Sequence, residues 1–235
     1  MTASILETNV EAVLFDLDGT LMDTPRAIAE QLVAAVQQVT GRRPAVVEAQ
    51  ELVGRPLPVL CAMLARLEPH SALVGEVVEV YRLLYRTEVV PAAASLVFPG
   101  VLEGLARLRK HGVTLAVVTS KQSDSARLIL EASGMAAHFT TVVGVDDTVL
   151  PKPHPDPALL ALERLGVDSR AAVFVGDTAH DIGTAGAVPM RAIAVTYGVG
   201  TASGLQALQP HGIASEFGAV VDLILSFTPH ELRQN

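Results

Sequence analysis

Asp16 and Asp18 stand two positions apart in Phe15-Asp16-Leu17-Asp18-Gly19-Thr20-Leu21, directly after the apolar run 10–14. That run reads as a buried strand, and side chains at i and i+2 of a strand share a face. Two carboxylates brought together repel unless a cation or a proton intervenes. Such a pair at a strand end points to a bound metal, to acid–base chemistry, or to both. An acidic turn after an edge strand is the plainer alternative.

Three further segments carry related groups. Thr119-Ser120-Lys121 follows the apolar Leu115-Ala116-Val117-Val118 and precedes a helical pattern. Hydroxyls and N–H groups at a helix N-terminus suit a phosphate. Lys152 lies in Pro151-Lys152-Pro153-His154-Pro155-Asp156, where prolines on both sides restrict the backbone that carries the ammonium. Gly176-Asp177 ends another apolar strand, and Asp181 opens the next helix. Helix capping is the ordinary role of such aspartates. With Asp16 and Asp18, however, they would place four acids in one crevice. That arrangement needs a divalent cation, and oxygen-only ligands favour Mg²⁺.

The elements that would position these groups follow an α/β rhythm. After the first strand, Thr24 and Pro25 read as the N-cap and first residue of a helix that stops at Gly41. Helical patterns over 46–53, 57–67 and 73–87 follow, with Gly54-Arg55-Pro56 breaking the first from the second. Strands are expected at 113–119, 141–145, 171–175 and 192–196. Helices are expected at 100–111, 123–133, 156–166, 181–188 and 216–227. Strands separated by helices of this length imply right-handed crossovers and a parallel sheet. The expected fold is thus α/β, a doubly wound parallel sheet built from 1–23 and 97–235, interrupted by an all-helical insertion over 24–96. In such a sheet ligands bind beyond the carboxyl ends of the strands, where all four acidic and basic segments fall.

The four segments, in this order, resemble the four motifs of the haloacid dehalogenase-like hydrolases with a helical cap. The resemblance spans nearly the whole chain. It implies that Asp16 is the nucleophile that forms an aspartyl phosphate, and that Asp18 is the general acid and base. It implies Mg²⁺ held by Asp16, the backbone carbonyl of Asp18 and Asp177, with Asp181 orienting water or Lys152 from behind. Thr119, Ser120 and Lys152 would hold the phosphoryl group. One departure is Ala187-Val188-Pro189, where relatives carry an Ala-Gly pair; Pro there ends a helix equally well.

The runs 115–121 and 152–157 look like the phosphoglycolate phosphatase branch. Val53-Gly54-Arg55-Pro56-Leu57 is similar to its substrate-specificity loop, so Gly54 and Arg55 are candidate substrate contacts, with Arg55 able to meet a carboxylate or second phosphate. The reading is a Mg²⁺-dependent phosphatase acting on a small phosphorylated metabolite, 2-phosphoglycolate first. A pyrophosphatase, or an isomerase of the β-phosphoglucomutase type, is the alternative on the same scaffold.

Composition bounds the rest. A formal charge of −8 argues against a general nucleic-acid binder. No apolar run reaches the ~18 residues of a membrane span, and residues 1–10 lack the basic start of a secretory signal. The one cysteine, Cys61, among Leu60, Met63 and Leu64, reads as a core residue and suits a reducing cytoplasm. His180 is expected at the rim and His154 in a turn, because imidazole is a poor partner for Mg²⁺. A monomer or homodimer is expected.

Overall fold

The structure, a computed structural model, describes residues 9–227. The reading of residues 1–10 therefore falls, apart from Asn9 and Val10, outside the described residues. Six strands form one sheet: β1 (Ala12–Phe15), β2 (Thr114–Val118), β3 (Thr141–Val143), β4 (Ala172–Gly176), β5 (Arg191–Val195) and β6 (Gly212–Ala214). Their spatial order is β3-β2-β1-β4-β5-β6, and every pairing is parallel. β1 lies at the centre, with β2 and β4 as neighbours, so the order reverses there. The crevice for ligands opens at that switch point.

Alternation of side chains divides the core in two. Val13, Phe15, Val117, Val175 and Ile193 face one layer, with α5 (Val101–Lys110), α6 (Ser123–Ala132) and α10 (Phe217–Ser226) contributing Leu105, Ile129 and Val220. Leu14, Ala116, Val118, Phe174 and Ala194 face the other. There α7 (Asp156–Leu165) and α8 (Ala179–Gly186) supply Leu162 and Ile182. Strands apolar on both faces are the mark of a sheet covered on both sides.

Between β1 and α5 lie four more α-helices and no strand of the sheet: α1 (Pro25–Thr40), α2 (Val46–Gln50), α3 (Leu57–Ala65) and α4 (Ala72–Leu84). Pro25 starts α1, and Gly41 ends it in a left-handed turn whose N–H reaches the Gln37 carbonyl. Thr24 does not cap with its side chain as expected; its hydroxyl goes elsewhere, as described below. The helical pattern expected to close at residue 87 continues instead. α4 passes into a π-helical turn (Tyr85–Val89) and a 3₁₀ stretch (Val90–Leu96). Ile28, Leu32, Leu60 and Val77 of these helices belong to the same apolar cluster as the Val13 and Phe15 face of the sheet.

Two elements carried no sequence signal. They are α9 (Ala202–Ala207) and β6, which is three residues long and adds to the β5 edge. A three-residue strand is too short to show a period. Among the described residues no helix is long and apolar enough to cross a membrane.

Candidate active site

The carboxyl ends of β1 and β4 bring Asp16, Asp177 and Asp181 together. One carboxylate oxygen from each lies within 4.8 Å of the others, and all three residues are buried. Lys152 sits among them. Its Nζ donates to Asp16 Oδ1 at 2.8 Å, to Asp181 Oδ1 at 2.7 Å and to the Val118 carbonyl at 3.2 Å. An ammonium has three donors, so Lys152 is fully used.

Each acid is fixed by its surroundings. Asp177 Oδ1 accepts from the Thr20 hydroxyl at 3.0 Å, and Oδ2 from the Val199 N–H at 2.8 Å. Asp181 is both a cap and a site residue. Its Oδ2 accepts from the Thr178 N–H and hydroxyl at the start of α8, while Oδ1 turns to Lys152. Gly19 has φ +89°, and a Cβ on it would collide with the Asp177 carboxylate. The Gly of the acidic motif is therefore required twice, for backbone sign and for space.

Burial and charge decide the protonation balance. Burial lifts Asp16 well above the usual carboxylate range; Lys152 opposes this, and Asp181 and Asp177 add to it. Burial, then Asp181, pushes Asp177 up to about 7. Burial works to discharge Lys152, but Asp16 and Asp181 outweigh it and raise its pKa, so it remains an ammonium. Three buried acids against one cation leave a deficit of positive charge. An all-oxygen donor set with that deficit fits a hard divalent cation such as Mg²⁺.

Asp18 departs from expectation. Four acids were to converge, but its carboxylate turns away from the other three. Oδ1 accepts from the Thr24 hydroxyl at 2.6 Å, and Oδ2 pairs with Lys121 Nζ at 3.1 Å. The i, i+2 rule fails here because β1 ends at Phe15, so both acids lie beyond the regular strand. Lys121 also sits 4.4 Å above the centre of the Tyr85 ring, a contact from the sheet to the inserted helices. Burial lowers the Lys121 pKa, but Asp18 more than restores it and the net shift is upward.

Thr119 is buried at the end of β2, its hydroxyl accepting from the Lys121 N–H at 3.2 Å. Ser120 is on the wall of a cavity of about 290 Å³ that reaches from Asp16 and Asp18 to the helices. Gly54 and Arg55 also line it, with Gly54 at φ +100°. His180 is half-buried. Burial holds its pKa down, Asp181 opposes, and Lys152 and Arg55 add to the lowering. His154 is an exposed turn residue paired with Asp156 at 3.0 Å. Cys61 is buried, and burial pushes its thiol up to about 12. The sequence reading passed over Thr20, Thr24, Arg82, Tyr85 and Lys121. Thr20 lies inside the first acidic motif and Lys121 inside Thr119-Ser120-Lys121, Thr24 was read only as a helix cap, and Arg82 and Tyr85 carried no local signal.

Known proteins resemble this chain in sequence and in fold. Residues 13–195, from β1 to β5, match the sequence profile of the haloacid dehalogenase-like hydrolases. A Dickeya dadantii protein named "Probable phosphatase IndB" is 41% identical over 89% of this chain and 91% of its own. The phosphoglycolate phosphatase of Pectobacterium atrosepticum is 33% identical over 95% and 96%. The pyrophosphatase PpaX of Bacillus velezensis is 32% identical over 87% and 91%. Among solved structures, β-phosphoglucomutase from Clostridium difficile superposes with a TM-score of 0.79 over 92% of this chain and 97% of its own; at 16% identity this is a likeness of fold. The profile spans every strand end that delivers an acid, and identity above 30% extends over nearly the full length of all three of these relatives. The chain therefore belongs to the haloacid dehalogenase-like hydrolase family.

Proposed function

We propose that this protein is a Mg²⁺-dependent phosphatase that hydrolyses a small phosphorylated metabolite through an aspartyl-phosphate intermediate. The observation that carries it is the buried Asp16, held by Lys152 beside Asp177 and Asp181 on the wall of a cavity. Asp16, Asp177 and the backbone carbonyl of Asp18 would hold the metal, with Asp181 fixing Lys152. When bound, Mg²⁺ supplies the positive charge that the site lacks and neutralises phosphoryl oxygens.

The residues then divide the work. Asp16 attacks phosphorus; its Oδ–P bond forms as the bond to the leaving oxygen breaks. Asp18 gives that oxygen a proton. Water next attacks the aspartyl phosphate, Asp18 takes its proton, and Asp16 is released. Thr119 and Ser120 hold the phosphoryl oxygens, and Lys152 joins them by exchanging one of its three acceptors for a phosphoryl oxygen. Thr24 and Lys121 keep the Asp18 carboxyl group in one orientation. Residues 24–96 act as a cap over this centre, hinged near 23–25 and 97–99, with Gly54 and Arg55 meeting the leaving group. One buried cysteine suits work in the cytoplasm.

The relatives' names put 2-phosphoglycolate and pyrophosphate first among compounds to test. Phosphate release is measured with Mg²⁺ and with EDTA, for the native chain and Asp16→Asn. Release that needs Mg²⁺ and vanishes in Asp16→Asn is the expected result. An Asp16→Asn variant that turns over like the native chain overturns the nucleophile assignment. Retention of phosphate with interconversion of sugar phosphates would favour the mutase.

A further inference from the structure

Resting on the reading that Thr119 and Ser120 hold the transferring phosphoryl group, we propose that Asp146 is a positioning residue for that cradle. It sets where residues 119–123 stand by capping α6 from the loop after β3. α6 starts at Ser123, and its own cap residue, Gln122, makes no side-chain cap hydrogen bond. The cap comes instead from 23 positions along the chain. Asp146 Oδ1 accepts from the Ser123 N–H at 2.8 Å, and Oδ2 from the Ser123 hydroxyl at 3.3 Å. A carboxylate there satisfies an N–H that the helix cannot, and the helix dipole favours its charge. Ser123 is buried, so losing that acceptor strands its N–H.

The same two segments are joined at two further points. The Thr119 N–H donates to the Val143 carbonyl, and the Val145 N–H to the Lys121 carbonyl, each at 3.0 Å. Residues 119, 121 and 123 are thus each tied to 143–146, with Ser120 between two of them. A Cβ on Gly144 would collide with the Ser123 backbone and with Asp146 Oδ1, so the segments stand as close as a glycine allows. The loop is itself anchored. Asp147 Oδ2 accepts from the Gly144 N–H at 2.8 Å, and Oδ1 pairs with Arg164 of α7 at 3.0 Å. The chain then runs on to Lys152, whose ammonium donates to the Val118 carbonyl beside Thr119. One stretch, 143–152, therefore steadies the hydroxyl cradle and delivers the ammonium. Ser120 and Val145 line the cavity that reaches Asp16, and Asp146 does not. Asp146 thus acts through Ser123 and the backbone of 119–123, without touching substrate. A carboxylate does nothing by its charge to attract a phosphate, so its value to the cradle is the place it gives α6. Hydrogen bonds to a phosphoryl oxygen weaken steeply as their geometry departs from ideal, so a shift of that turn is felt in binding.

The test is calorimetric binding of Mg²⁺, and then of orthovanadate with Mg²⁺ present, to the native chain, Asp146→Ala, Asp146→Asn and Asp146→Glu. Orthovanadate stands in for the transferring phosphoryl group. Asp146→Ala is expected to weaken orthovanadate by about tenfold, the scale of a lost hydrogen bond to a charged group, and to leave Mg²⁺ affinity at the native value. Asp146→Asn drops the charge but keeps an acceptor for the Ser123 N–H, and should bind orthovanadate within about threefold of the native chain. Asp146→Glu keeps the charge but displaces the acceptor by one carbon. It should bind like Asp146→Ala, and it carries the test if Asp146→Ala does not fold. Native orthovanadate affinity in the Ala and Glu variants overturns the proposal. Equal losses in the Asn and Ala variants overturn it too, by assigning the effect to charge. Parallel losses of Mg²⁺ and orthovanadate overturn it by assigning the effect to a general loosening of the fold. A native chain that binds no orthovanadate with Mg²⁺ present overturns instead the reading of Thr119 and Ser120 on which this inference rests.

Discussion

Replacing Lys152 by Met tests the electrostatic account of the site most directly. Met keeps most of the apolar stem and removes the ammonium. Three acceptors then lose a donor: Asp16 Oδ1, Asp181 Oδ1 and the Val118 carbonyl. The Lys152 side chain is 3% exposed and that of Asp181 is 0% exposed, so water does not replace the lost bonds. Removing one partner of a buried ion pair typically costs about 3–5 kcal/mol. For a chain of this size that is a fall in Tm of roughly 6–20 °C, at about 2–4 °C per kcal/mol.

The pH dependence of that loss has a definite sign. Asp177 has an ordinary value of 3.8 and stands at about 7 when folded, so between these limits the folded state holds a proton that the unfolded state lacks. Stability of the metal-free protein therefore falls as pH rises through that window. Asp16, raised in the same direction, adds to the fall. The raised Lys152 is charged throughout it, and its contribution is lost only above the lysine range. Removing Lys152 raises the acids further and extends the fall beyond pH 7. Thermal unfolding in EDTA should thus show a larger deficit for Lys152→Met at pH 8 than at pH 5. A deficit below about 1 kcal/mol at pH 8, or the same deficit at both pH values, would refute the claim that Lys152 balances a buried acidic cluster.

Two other substitutions probe different parts of the site. Arg55→Ala should raise KM by about tenfold or more, the scale of a lost hydrogen bond to a charged group, with kcat changed less. An unchanged KM removes Arg55 from the substrate pocket. Gly19→Ala forces a positive φ on a residue with a Cβ and drives that Cβ into the Asp177 carboxylate. Each strained residue costs about 1–3 kcal/mol. Calorimetry should show a lower Tm, and titration with Mg²⁺ should show weaker binding; native values for both would mean that the Asp177 position tolerates displacement.

Much of this was legible in the chain. The runs 12–15, 115–118 and 172–175 are apolar without alternation, which is the pattern of strands covered on both faces, and β1, β2 and β4 fall there. Asp16 and Thr119 follow such runs directly and Asp177 follows one after Gly176, so local sequence alone places them at strand ends. Their convergence follows from parallel pairing of those strands in one sheet.

Partnerships were not legible. Lys152 and Asp16 lie 136 positions apart, and nothing local to either shows that one ammonium serves Asp16, Asp181 and the Val118 carbonyl at once. Asp18 could not be assigned to Lys121 and Thr24 by strand period, because past Phe15 the chain leaves the strand and loop backbone sets the direction of each side chain. Tyr85 and Arg82 fall inside the expected helix 73–87 with nothing local to single them out. Only the packing of α4 and its π-helical turn over the end of β2 brings them to the cavity wall and leaves Oη and Nε without acceptors. Periodicity reports which residues an element buries. What a buried polar group meets is fixed by chain distant in sequence, and so by the tertiary structure alone.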